Sequence, residues 1–165
     1  MTGRIVRTND RRPIVSEAED RKEGKMEILK ENNQRAEEPD FRTALGIKIV
    51  ERGEGWARGE IKAEKLHLNP LGIIHGGCLF SLADTVSGSA VMGYGSMVTT
   101  VSGNIQFLRP GKPGGIITAE ARVVKHGKTF SVCDCQVFDD RKDLIAATTM
   151  TFYHLEQESR IPKAE

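Results

Sequence analysis

The stretch Asn69-Pro70-Leu71-Gly72-Ile73-Ile74-His75-Gly76-Gly77, followed by Leu82-Ala83-Asp84, holds the residue types and spacing most suited to chemistry. A helix starting at His75-Gly76-Gly77 leaves its first-turn N–H groups without intrahelical acceptors, and its macrodipole adds partial positive charge there. Glycine lets a substrate approach the backbone closely. Together these features polarise a carbonyl and stabilise an oxyanion as charge develops on it. Asp84 falls about two turns further along the same helix, among Leu82, Ala83 and Val86. A carboxylate in such apolar company, once desolvated, serves as nucleophile or general base. Taken singly, each feature has a plainer reading: a solvated helix aspartate, a helix-start histidine, a Gly-Gly entry turn, an Asn-Pro turn. Their joint spacing favours the chemical one.

These residues need a helix and a sheet to hold them. Gly46–Arg52 and Trp56–Ala63 alternate apolar and polar residues around Gly-Glu-Gly, the pattern of a hairpin. A loop over 66–74 leads into a helix from His75 to about Met92, with Leu79, Leu82, Ala83, Val86 and Ala90 on one side. Four β-branched-rich runs follow: Val98–Leu108, Gly115–Val124, Thr129–Phe138 and Leu144–His154. With no alternating βαβ unit, the order predicts an α+β fold in which an antiparallel sheet curls around one long helix. Residues 1–40 are densely charged and hold few large apolar side chains. Ser16 and Glu19 have capping-box spacing, which predicts a helix from about Glu17 to Gln34. The chain thus divides into a partly helical extension (1–40), a folded domain (41–157) and a tail (158–165).

Composition removes several function classes. Lys+Arg 24 against Asp+Glu 23 leaves a formal charge of +1, so there is no global basic footprint for nucleic acid. The longest mildly apolar stretch, 79–98, is interrupted by Asp84 and by glycines and serines, which argues against a membrane span. The polar, Arg-rich start lacks the apolar core of a secretory signal, and three cysteines make no disulfide framework, so cytoplasm is the expected compartment. Cys133 and Cys135 lack the second pair or neighbouring histidine that zinc requires, and read as sheet-face residues. Cys78, in the first turn of the helix, reads as packing.

NPLGIIHGG with LFSLAD, and the later NIQFLRPGK (Asn104–Lys112), resemble the hotdog-fold thioesterases of the PaaI-like, phenylacetate-pathway group within the 4-hydroxybenzoyl-CoA thioesterase superfamily. The resemblance runs from about Phe41 to Leu155. It implies a hotdog fold and hydrolysis of acyl-CoA thioesters, with no metal and no cofactor beyond the CoA of the substrate. It also implies roles. Asp84 falls on the catalytic carboxylate, as nucleophile or as base for water. The Gly76 N–H falls on the thioester-polarising donor. Asn69 and His75 fall on residues that hold the loop and the leaving thiol or a water. Thr100 falls near a serine that positions water in some members, with Ser102 two residues on as its rival. Arg109, Lys112, Lys125 and Lys128 sit at strand ends, where they suit CoA phosphates or serve as solvated turn charges.

Gly76 and Asp84 are eight residues apart, roughly 12 Å along a helix axis. One chain does not easily offer both to a single thioester, whereas two antiparallel copies of the helix across a two-fold axis do. A homodimer is therefore expected, and in this family it often doubles again. The rival reading is a non-catalytic acyl-CoA-sensing or binding module on the same fold, which has no need of Asp84. A hotdog dehydratase ranks lower, because it calls for a histidine and an acid arranged for proton abstraction.

Overall fold

Alternation of small apolar and polar residues along the second half of the chain gives strands with one face turned inward. The computed structural model describes residues 40–155. The helix expected over 17–34 and the 158–165 tail lie outside the described residues. A short helix α1 (Phe41–Ala44), capped by Asp40 accepting from the Thr43 N–H at 2.7 Å, precedes β1 (Lys48–Gly53) and β2 (Trp56–Lys62). A 3-10 turn (Lys65–His67) and a loop lead to α2 (Gly76–Met92). Then come β3 (Val98–Phe107), β4 (Ile116–His126), β5 (Phe130–Phe138) and β6 (Leu144–His154). The hairpin, the long helix and the four later strands all form close to where periodicity put them. α1 and the 3-10 turn are additions too short to leave a periodic signature.

The six strands form one antiparallel sheet in the order β1-β2-β4-β5-β6-β3. It wraps α2, which packs against every strand. Ile117, Ala119, Ala121 and Val123 of β4 face inward, as do Cys133, Cys135 and Val137 of β5 and Met150 and Phe152 of β6. Small residues bring the layers close: a Cβ on Gly59 of β2 would stand 2.5 Å from Cγ2 of Val86. With Gly88 and three serines, α2 is a poor intrinsic helix former. Leu82, Ala83, Val86, Ala90 and Val91 are fully buried, so packing rather than propensity holds the helix. The consequence for the site is positional. Having passed through the centre as α2, the chain lays β3 down at the sheet's outer edge.

Among the described residues, no helix is long and apolar enough to cross a membrane.

Candidate active site

The loop before α2 is built around Asn69. Leu68 and Ile74 form an isolated antiparallel bridge, and the Asn69 N–H donates to the Ile73 carbonyl at 2.9 Å. The Asn69 side-chain oxygen accepts from the N–H groups of Leu71 (2.9 Å) and Ile73 (3.4 Å). Gly72, at φ 73°, supplies the left-handed residue this tight turn requires. Asn69 thus holds the loop through its own amide oxygen. His67 is a further positioning residue that the sequence did not single out. It is buried, its Nδ1 accepts from the Glu64 N–H at 2.9 Å, and its Nε2 donates to the Leu45 carbonyl at 3.2 Å. Its own carbonyl accepts the His75 N–H at 2.8 Å, fixing the point where α2 begins.

His75 is the N-cap of α2. Its Nδ1 accepts from the Gly77 N–H at 2.9 Å, and its carbonyl accepts from Cys78 (2.9 Å) and Leu79 (3.3 Å). An accepting Nδ1 places the proton of the neutral ring on Nε2, which is left as a donor on an exposed side chain. Within this first turn the Gly76 N–H is the group with no acceptor among the described residues. The cap therefore uses up its neighbours and leaves the donor expected from sequence without an acceptor among the described residues, at the positive end of the helix dipole.

Asp84 is half-buried on α2. The Thr100 Oγ1 donates to its Oδ1 at 2.8 Å. Burial pushes the Asp84 carboxyl above its ordinary range, and the Thr100 hydrogen bond pulls partly against that. Of Thr100 and Ser102 on β3, Thr100 is the one that reaches the acid. A bulge at Val101 decides this: Thr100 pairs with the buried Phe152, while Ser102 pairs with the next residue back, Thr151, and so faces the other side of the sheet. Beyond the bulge, Gly103, Ile105 and Phe107 pair with Met150, Thr148 and Ala146 and take the inner face.

Residues 76, 80 and 84 lie one turn apart on α2 and meet this inner face in order. A Cβ on Gly76 would stand 2.9 Å from Cζ of Phe107. A Cβ on Gly103 would stand 2.8 Å from Cζ of Phe80. Asp84 meets Thr100. Each glycine thus gives a phenyl ring its seat on the facing element.

Cys78 is buried, and desolvation pushes its thiol up to about 11, which removes it as a thiolate nucleophile near neutral pH. Cys133 is likewise pushed up to about 12 and Cys135 is raised further, as suits sheet-face packing. The four cations do not form one group within a chain. Arg109, which donates to the Leu144 carbonyl at 3.0 Å, and Lys112 flank Gly111, whose carbonyl accepts the Ile74 N–H at 2.9 Å beside the start of α2. Lys125 and Lys128 lie at the far end of β4, whose length is on the order of 30 Å.

The chain matches the model of the thioesterase superfamily over residues 71–146. It is 37% identical over 103 residues to the acyl-coenzyme A thioesterase PaaI of Escherichia coli, covering 62% of this chain and 74% of that protein. The structure of the Escherichia coli PaaI protein superposes with a TM-score of 0.72 at 30% identity, over 78% of this chain and 93% of that one. A hypothetical thioesterase protein of Streptococcus pneumoniae, solved with coenzyme A, superposes with a TM-score of 0.65 at 28% identity, over 68% and 91%. That protein has also been solved with an aspartate, and separately a threonine sixteen positions later, replaced by alanine. Motif, wrapped-helix fold and relatives agree: this chain belongs to the thioesterase superfamily, as a PaaI-like member with the hotdog fold.

Proposed function

We propose that this protein hydrolyses acyl-CoA thioesters to the free acid and CoA, in sites shared between two copies of the chain. The observation that carries the reading is the unpaired Gly76 N–H at a capped helix start, on the same helix as a desolvated carboxylate. The Gly76 N–H polarises the thioester carbonyl and takes the charge of the tetrahedral oxyanion. Asp84 of the other copy either attacks the carbonyl carbon, so that the CoA thiolate leaves and water hydrolyses the acyl-aspartyl anhydride, or draws a proton from a water that attacks directly before the thiolate leaves. Thr100, hydrogen-bonded to it, orients the carboxylate. The sixteen-residue spacing of Asp84 and Thr100 equals that of the two residues varied in the Streptococcus pneumoniae protein. The Nε2–H of His75 faces the leaving thiol or a water. No cofactor enters beyond the CoA of the substrate.

The second copy is called for by distance and by the fold's edge. Gly76 and Asp84 are roughly 12 Å apart along α2. β3 is ten residues long, lies at the sheet edge, and exposes Met97, Val101, Phe107 and Leu108 in or beside it. A long exposed edge strand is a template for another strand. A two-fold copy paired there runs antiparallel and brings Gly76 of one chain towards Asp84 of the other. It also brings the Arg109–Lys112 end of one copy towards the Lys125–Lys128 end of the other, a rim suited to the CoA phosphates.

The test is thiol release from a panel of acyl-CoAs. Turnover is expected for the native protein, with Asp84→Asn slower by about 100-fold or more while CoA still binds. Tight CoA binding with no turnover across the panel would transfer the reading to an acyl-CoA-binding module.

A further inference from the structure

The three contacts along α2 carry a consequence for substrate choice. Gly76, Phe80 and Asp84 form one row, each a turn from the next, seated on Phe107, Gly103 and Thr100 of β3. A two-fold axis that sets Gly76 of one copy beside Asp84 of the other passes near the midpoint of that row, so residue 80 of one copy lies opposite residue 80 of the other. Each Phe80 ring then stands about 6 Å along the helix from both the oxyanion donor and the acid of its own chain. The two rings face one another across the axis, between the two sites.

We infer that Phe80 is the specificity-determining residue of the site: its ring is the wall at the dimer axis that closes the acyl pocket and limits acyl length. This rests on the shared-site reading above. The ring is half-buried rather than lost in the core, so one side of it remains open to a ligand. The far end of the ring reaches β3 because Gly103 has no side chain there: a Cβ on Gly103 would stand 2.8 Å from Cζ of Phe80, with the Met150 sulfur packed at the same spot. An acyl group entering from the Gly76 carbonyl site runs along this row and meets the ring after one helical turn. Compact acyl groups fit in that length. Longer chains have to displace an aromatic ring whose far end is held by Gly103 and Met150 of its own chain.

Truncating the ring opens the wall. The experiment compares kcat/KM over straight-chain acyl-CoAs of two to twelve carbons for the native dimer, Phe80→Ala and Phe80→Leu. The expected result is a rise of about tenfold or more in the ratio of long- to short-chain kcat/KM for Phe80→Ala, on the scale of one or two methylenes in an apolar pocket. Phe80→Leu should fall between. If Phe80→Ala does not fold, the leucine variant alone decides, through the same ratio. A parallel fall at every chain length, leaving the ratio unchanged, would overturn the assignment and leave Phe80 a packing residue. That outcome differs from failure of the hydrolase reading, in which the native protein itself releases no thiol from any member of the series.

Discussion

Thr100 Oγ1 donates to Asp84 Oδ1 at 2.8 Å, joining a bulged edge strand to the middle of the central helix. This bond stabilises the charged carboxylate, while burial disfavours it and prevails. A base must be ionised, so kcat/KM should fall on the acid side through a pKa above the ordinary carboxylate range. Thr100→Val removes the donor and keeps the shape. Its acid limb should move to higher pH, with little change in the rate at the alkaline plateau. A limb that stays in place would separate Thr100 from the titration of Asp84.

Asp84 should also cost the fold stability. Its folded-state pKa is raised above the unfolded value, so the ionised form is disfavoured in the native state. That cost is fully present above the folded pKa and is relieved as pH falls through it. Asp84→Asn should therefore have a higher Tm than the native protein at pH 7, with an advantage that shrinks towards the acid range. Thermal melts at several pH values measure this. A lower Tm at every pH would mean that the charge is better compensated than its burial implies.

The end of the sheet beyond α2 makes the opposite prediction. Ser131 is buried, and its Oγ is shared between Nδ1 of His126 (3.0 Å) and Nε2 of His154 (2.8 Å). Tyr94 stacks on His126 with centroids 3.9 Å apart, and Glu54 lies within electrostatic reach of Tyr94. Burial, and then the neighbouring His126, hold His154 below its usual 6.5. With the folded pKa depressed, the unfolded chain takes up a proton as pH falls below about 6.5 and the native state does not, so stability drops. His154→Gln should lose less Tm than the native protein between pH 7.5 and 5.5. An equal loss in both would remove His154 from the acid response.

Shared sites can be tested by complementation. Asp84→Ala and Gly76→Pro should each be inactive, since proline in the first helical turn removes the oxyanion N–H at little cost to the helix. A Cβ at position 76 stands 2.9 Å from Cζ of Phe107, the far end of an exposed side chain. In a mixed dimer one site carries both defects and the other neither. Reassorting equal amounts should restore about a quarter of native activity, because half the dimers are mixed and half their sites are intact. Circular dichroism and size exclusion must first confirm that both variants fold and associate. No recovery would place both groups of each site in one chain.

Elements whose signals are short-range are legible in the order of residues alone. Turn and cap chemistry within nine residues marked the loop from Asn69 to Gly77, and periods of 3.6 and 2 marked α2 and its strands. The unpaired N–H of Gly76 is a local feature too: His75, the residue before it, accepts from Gly77, Cys78 and Leu79. Other features depend on partners far along the chain and emerge when the sheet assembles. Strict alternation places Thr100 and Ser102 on one face, and the choice between them comes from how β3 pairs with β6, some fifty residues later, where Val101 bulges out. That same bulge turns Gly103 and Phe107 inward to meet Phe80 and Gly76. His67 becomes a fixed point because it buries between Leu45 and His75, and the four cations separate because β4 runs the length of the sheet. Periodicity records which way a residue points relative to its neighbours; a pairing register, set by the partner strand, decides what it faces.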